Sequence, residues 1–254
     1  MNKRIDQIDR LDIDVFRIIH SQTTDDDKRS LLAVQRATAR NHNEYVYLEI
    51  GSHLGGSIQP HLVDARCTKI YSIDSRPSQQ NDDRSPGCVV HFEKNTSERM
   101  VGMLSRIKDG DSRKIECFDS EVSKVDSKKI IFPPHIAFID GEHTKKAVLS
   151  DFQFCHQTLH KAGTIVFHDF TIVYPAILAI CQQMDKKRIA HVPLKLGGEV
   201  FAIFFDPDLV HTDPYLKTLY RRKRYFLLYW QARMWLKKWL PAPLLSFIRR
   251  ARGF

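Results

Sequence analysis

The chain has 254 residues, 43% of them hydrophobic, and a formal net charge of +9. That length supports one sizeable core, and no apolar stretch approaches the 18 or so residues of a membrane-spanning helix. The five cysteines (Cys67, Cys88, Cys117, Cys155, Cys181) are far apart and show no CxxC, which argues against a disulfide scaffold and predicts reduced thiols in a cytoplasmic protein.

The opening MNKRIDQIDRLDIDVF mixes acids with bases, so no secretory signal is expected. Ile5, Ile8, Leu11, Ile13, Phe16 and Ile19 form a rough helical stripe, and LLAVQRATAR predicts a second helix. From residue 44 onward β-rich runs alternate with helical stretches. YVYLEI (45–50) and KIYSID (69–74) read as strands, with a glycine-rich turn and a helix between them. SRPSQQNDDRSPG (75–87) reads as a polar, mobile loop, and CVVHF (88–92) as a short extended run. TSERMVGMLSRI (96–107) predicts a helix capped by Thr96 or Ser97. KIECF (114–118), HIAFID (135–140) and GTIVFHD (163–169) are further strands, with a helix over 151–163 that Gly163 ends. VPLKLGGEVFAIFFD predicts a hairpin around Gly197-Gly198. Helices between strands imply crossover connections. The fold class expected is therefore α/β, a Rossmann-like doubly wound and mostly parallel sheet with a C-terminal antiparallel hairpin. This domain would occupy 44–213, between an N-terminal helical segment (1–43) and a C-terminal amphipathic tail (214–254).

Three strand ends carry chemistry. LEIGSHLGGS places Glu49 and then Gly51, Ser52, Gly55, Gly56 and Ser57 where a strand meets a helix. Glycines there let backbone approach a ligand, and the helix N-terminus offers N–H groups, although the GxGxxG fingerprint is not met. Asp74 ends the next strand, where a carboxylate can accept from both hydroxyls of a ribose. Asp119 follows the strand 114–118, placed to accept from an adenine amino group or to stabilise a turn.

EIGSHLGGS, the Asp74 strand end, FIDGEH (138–143) and IVFHDF (165–170) together resemble class I S-adenosylmethionine-dependent methyltransferases. The branch is the one with an FIDG-x-H signature and a late HD pair, which includes macrocin-type sugar O-methyltransferases. The resemblance spans roughly residues 44–205. It implies that Glu49, Gly51, Ser52 and Gly55, with Ser57 on the next turn, line the methionine part of the cofactor. Asp74 would hold the ribose and Asp119 the adenine end, with Asp140 beside the reacting methyl. Asp140, His168 and Asp169 align with positions that hold Mg²⁺ or another divalent cation in metal-dependent relatives. His53 and Leu54 depart from the usual small residues of the first loop, and His168 stands where some relatives have an acid.

Transfer to a hydroxyl needs activation of a weak nucleophile. Two carboxylates and an imidazole suit a hard cation with open positions, and His143 or His168 suits a general base. Plainer roles stay open at this level. Asp140 also fits a helix cap, Glu142 a first-turn acid, His143 a surface residue, and His168–Asp169 a structural pair. The histidines His135, His156, His160, His191 and His211 are read as ordinary.

The tail stands apart in charge. Eleven of the 39 Lys and Arg residues lie beyond Asp213 and none of the 30 acids does, which leaves a body of 28 basic against 30 acidic residues. Trp230, Trp235 and Trp239 lie there too. Basic clusters interleaved with Trp, Tyr and Leu predict a helix lying on an anionic membrane surface through 215–254, at the inner face of the membrane. Packing on the body, on a second subunit as a homo-oligomer, or on nucleic acid are the competing uses, with nucleic acid the weakest. The expectation is an O-methyltransferase acting on a hydroxyl of a sugar or glycan, including a lipid-linked one. Two alternatives remain: a small-molecule or natural-product O-methyltransferase with a dimerising tail, and a non-catalytic nucleotide-binding protein recruited to membranes.

Overall fold

Strand β1 (Tyr45–Ile50) is buried at every residue. A strand covered on both faces needs apolar side chains in both alternating sets, which is why YVYLEI is continuous rather than alternating. In the computed structural model, which describes residues 3–81 and 89–222, β1 lies in a seven-stranded sheet. Its neighbours are β2 (Cys67–Ile73) and β6 (Ile136–Ile139), both parallel to it. β5 (Ile115–Phe118) extends the sheet beyond β2, and β7 (Thr164–Phe167) extends it beyond β6. The hairpin β8 (Val192–Lys195) and β9 (Phe201–Phe204) closes that edge, with β9 antiparallel to β7. The order β5-β2-β1-β6-β7-β9-β8 turns outward in both directions from β1 and β6. The crevice for a ligand in such a sheet opens at that switch, beyond the carboxyl ends of the strands.

Side chains from the two sheet faces feed two cores. Tyr47, Ile70, Phe138 and Val166 face helices α1 (Lys3–Asp9), α2 (Asp25–His42), α3 (Gln59–Val63) and α4 (Ser97–Leu104). Leu48, Ile73, Ile139 and Phe167 face α5 (Lys145–Thr158) and α6 (Phe170–Lys186). A short helix, α7 (Pro207–Thr212), follows the hairpin.

Four elements differ from the sequence reading. α5 begins at Lys145 under a Thr144 cap and stops at Thr158, so the helix predicted over 151–163 lies earlier in the chain. The 17-residue α6 went unassigned because its Thr-Ile-Val start and internal Pro175 argue against a helix locally. Burial of Phe170, Val173, Ile177 and Ile180 along one face outweighs that. Within the stretch read as a mobile loop, β3 (Gln79–Asn81) pairs with β4 (Val89–His91) as a separate two-stranded ribbon. Finally, residues 214–222 are helical and docked, with Leu216 fully buried and Tyr215 near Ser30. The start of the tail is thus part of the body. Residues 223–254, with the three tryptophans, lie outside the described residues.

One buried ion pair fastens this C-terminal helix to α2. Arg36 Nε and Nη2 donate to the two carboxylate oxygens of Asp213 at 2.7 and 2.8 Å. Asp213 also accepts from the Tyr215 and Leu216 backbone N–H groups. Removing one partner leaves a buried charge uncompensated. Asp213→Ala is expected to lower the unfolding free energy by about 3–5 kcal/mol, read from urea midpoints at constant m-value.

Candidate active site

The turn after β1 is built around a close approach. Gly51 has φ +87°, and a Cβ there would collide with the carbonyl of Asp140. The backbone at the end of β6 therefore touches the loop at the end of β1, held by Gly51 N to Ile73 O and Asp140 N to Ile50 O, each 2.9 Å. Gly56 performs a second such service. His20 and Ser21 cross directly over it, and a Cβ would meet the His20 carbonyl at 2.7 Å. Gln59 fixes the crossing by donating to the carbonyls of Phe16, Ile19 and Gly56 and accepting from Ile18 and Ile19 N–H.

These turns line a cavity of about 750 Å³. Its walls include Gly51, Ser52, Ser57, Asp74, Asp140, His143, His168 and Asp169, so most of the predicted site residues do meet in one place. Glu49 and Gly55 lie beneath the loop instead. Glu49 is 1% exposed and accepts from Tyr47 OH at 3.0 Å and from Ser57 Oγ. Burial, with the charges of Asp140 and Asp74, pushes its carboxyl up to about 8 against the lowering effect of those hydroxyls. Gly55, φ +80°, packs on Leu104 and Met100.

At the β2 end, Asp74 accepts from the His53 N–H and the Arg76 N–H, each at 2.8 Å, and faces the cavity. Asp119 does not line it. Its carboxylate takes Arg76 Nε at 3.2 Å and Ser97 Oγ at 2.6 Å, while Arg76 Nη1 reaches the His53 carbonyl. Arg76 thus clamps β2, β5 and the first loop together.

At the other wall, His168 sits 7% exposed among three carboxylates. Nδ1 is 3.1 Å from Asp140 and 3.4 Å from Asp169, and Nε2 is 3.4 Å from Asp27. Burial alone would lower its pKa, yet Asp140 and then the contacts with Asp169 and Asp27 raise it to about 12. Burial likewise raises Asp27, but His168 and the Thr24 contacts bring it to about 2. Asp169 is held well below the usual carboxylate range by His143 and His168, against its burial. His143 Nε2 is 3.0 Å from Asp169.

The three groups that offer ligand atoms around a common centre are Asp140, His143 and Asp169, with those atoms within 4.8 Å of one another. The predicted set had His168 in the place that His143 takes. As an imidazolium paired on both sides, His168 has no lone pair to offer and acts as a fixed positive charge behind the carboxylates. Three carboxylates against one imidazolium leave a net negative pocket, and a divalent cation fits that balance and the donor types.

Asp27 is the residue the sequence did not reveal. It is the third acid of the α2 start, so it reads as a capping-box partner, and it is one: Thr24 N donates to it at 2.6 Å. It also accepts from Glu199 N at 2.6 Å and stands beside Gly198, whose φ of +63° leaves no room for a Cβ there. A second histidine cluster, His42, His135 and His160, lies at the opposite end of the sheet, before β6 and after α5. Backbone N–H groups of Val46 and Ala162 donate to Nδ1 of His135 and His160. Both Nδ1 lone pairs are thereby occupied, which does not favour a metal at those nitrogens.

Residues 48–170 match the family model described as a methyltransferase domain, a little under half of the chain. The sheet order and the glycine turn above agree with that match. An uncharacterized protein of Acanthamoeba polyphaga mimivirus is 26% identical over 139 residues, covering 50% of this chain and 52% of that protein. The chain thus spans about half the length of that curated relative. Among solved structures, the O-methyltransferase NovP superposes with a TM-score of 0.56 at 11% identity, over 79% of this chain and 97% of that one. TomG of Streptomyces achromogenes, an O-methyltransferase involved in tomaymycin synthesis and solved with S-adenosylmethionine, gives a TM-score of 0.48 at 11% identity over 81% and 91%. At these identities the likeness is one of fold.

Asp27→Asn is expected to lower stability by about 3 kcal/mol at pH 7, since it leaves the His168 cage one charge short. Asp27 titrates lower in the folded chain (about 2) than its ordinary 3.8, so its contribution is complete above 3.8 and disappears as pH falls through 2. Urea midpoints of variant and parent should accordingly converge between pH 4 and pH 2.

Proposed function

We propose that the protein transfers the methyl group of S-adenosylmethionine to a hydroxyl of a sugar or glycan. The observation that carries this is the meeting of Gly51, Asp74, Asp140, His143 and Asp169 around one cavity at the switch between β1 and β6. The Gly51 turn leaves backbone, rather than side chain, facing a bound cofactor, and Asp74 keeps lone pairs directed at the cavity for a ribose diol. The bound cofactor supplies an electrophilic methyl. A cation held by Asp140, His143 and Asp169 would orient the acceptor hydroxyl and lower its pKa.

The chain's own residues then have separable tasks. Asp140 sits where its backbone touches the Gly51 loop, so the acid and the cofactor cradle share one rigid contact. His168 stays protonated and holds the Asp140 and Asp169 carboxylates in place without exchanging protons. Glu142, whose carboxylate accepts from Thr144 Oγ1 at 2.7 Å, is one acid at the cavity wall placed for proton acceptance, with His143 serving when no cation claims its nitrogen. His20 and Ser21, laid over Gly56, cover the cavity from the N-terminal side and limit the entry of water.

A sugar acceptor is favoured by the polarity of the far wall (Gln22, Gln79, Gln80, Ser120, Ser123), which offers hydrogen bonds rather than an aromatic slot. The basic, tryptophan-bearing tail supports a lipid-linked form of that acceptor, presented at an anionic membrane. No helix among the described residues is long and apolar enough to cross a membrane.

Asp140→Ala and Asp169→Ala are expected to stay folded by circular dichroism, with a lowered melting temperature because each takes a carboxylate from His168, and to lose at least about a hundredfold in transfer rate to a panel of free and lipid-linked glycans. Calorimetry should show Mn²⁺ binding by the parent and its loss in both variants. Unchanged transfer in both variants would refute the site. For the tail, vesicles rich in phosphatidylserine should co-sediment the full chain and not a chain ended after Arg222. Equal pelleting of the two would refute membrane attachment.

A further inference from the structure

Asp151 has no task in the account above, and its surroundings are unusual. It lies on α5, is 7% exposed, and lines the cavity. Every other acid in the cavity wall is engaged. Asp74 accepts two backbone N–H groups, Asp140 and Asp169 face histidines, Glu121 pairs with Lys124, and Glu142 takes Thr144. Among the described residues, no donor and no cation reaches the Asp151 carboxyl. Oδ2 sits beneath Gly141, 3.6 Å from where a Cβ on that glycine would stand, next to Ile50. A buried carboxyl without a hydrogen-bond partner costs stability, so the fold gains nothing from it. A partner for it has to come from what enters the cavity, water or a ligand.

The position narrows which ligand group. Asp74 fixes the ribose end above β2. Beyond it the cavity runs between Val122 and Ser123 on one side and Ala147 and Ser150 on the other, with Ile50 and Ile73 as its floor. This part of the cavity has Val122, Ala147, Ile50 and Ile73 as its apolar surfaces, and Asp151 is its buried acid. Asp119, the acid placed by sequence to read the base, is turned away and held by Arg76 and Ser97. We propose that Asp151 is the acceptor for the exocyclic amino group of the cofactor's adenine, so that base recognition comes from α5 rather than from the loop after β5. Burial, reinforced by Glu142, pushes the Asp151 carboxyl up to about 7. The proposal rests on the S-adenosylmethionine reading above.

The test uses S-adenosylhomocysteine and its inosine counterpart, S-inosylhomocysteine, in which a carbonyl replaces the amino group. Calorimetry on the parent chain should show the adenine compound binding about tenfold or more tightly. Asp151→Ala should bind S-adenosylhomocysteine no better than the parent binds the inosine compound, with no further loss on changing the base. Its melting temperature without ligand should equal or exceed the parent's, because the carboxyl removed was unpaired; a structural role would lower it. If Asp151→Ala keeps the parent's affinity and preference for adenine, the Asp151 assignment fails and the cofactor reading stands. If the parent binds neither compound, both fall.

Discussion

A single buried imidazolium organises the site. His168 stands at the end of β7, and the carboxylates that surround it come from α2, from β6 and from its own neighbour in sequence. An unpaired charge at that depth would be prohibitive, and three unpaired carboxylates at one strand edge would repel one another. Together they are stable, and the arrangement dictates much around it. Helix α2 must start where Asp27 can reach His168. Gly198 must lack a side chain so that the hairpin can pass that start. Asp140 and Asp169 must present what remains of their lone pairs outward, into the cavity, where His143 completes a third corner.

The work of the cavity divides along the two halves of the sheet. On the β2 and β5 side, Arg76 ties Asp119 and the His53 carbonyl into one framework, and Asp74, itself buried, lines the cavity. On the β6 and β7 side the carboxylates are set by a fixed positive charge rather than by protons, so their placement does not change over the ordinary pH range. The Gly51–Asp140 backbone contact joins the halves. A ligand lying across that contact is held by rigid strand ends on both sides, the condition under which orientation contributes most to rate.

Sheet, glycine turn and acidic strand ends were legible because each leaves a local mark: a continuous apolar run, glycines at a strand end, an acid where the run stops. Asp140, His143, His168 and Asp169 were all visible in that way. What a short window of sequence does not contain was missed. Asp27 reads as a helix cap, and its partner lies more than a hundred residues on. The β3 strand is Gln-Gln-Asn and pairs across a gap, so no apolar pattern betrays it. Helix α6 hides behind β-branched residues and a proline, which its buried face overrides. Asp119 is exposed and held by Arg76 and Ser97, whereas Asp151, which no motif marks, is buried against the cavity.

The bond from Glu199 N–H to Asp27 spans 172 residues of chain, and the Arg36–Asp213 pair spans 177. Helix α2 therefore cannot take its final place until nearly the whole domain has been made. During synthesis β1 and β2 can pair early, but the histidine cage closes only when the last hairpin arrives, and contacts of such separation form slowly. A ribosome-bound or shortened chain would display a well-formed glycine turn with no acid site beside it. Competence for catalysis thus serves as a report that biosynthesis of the body has finished.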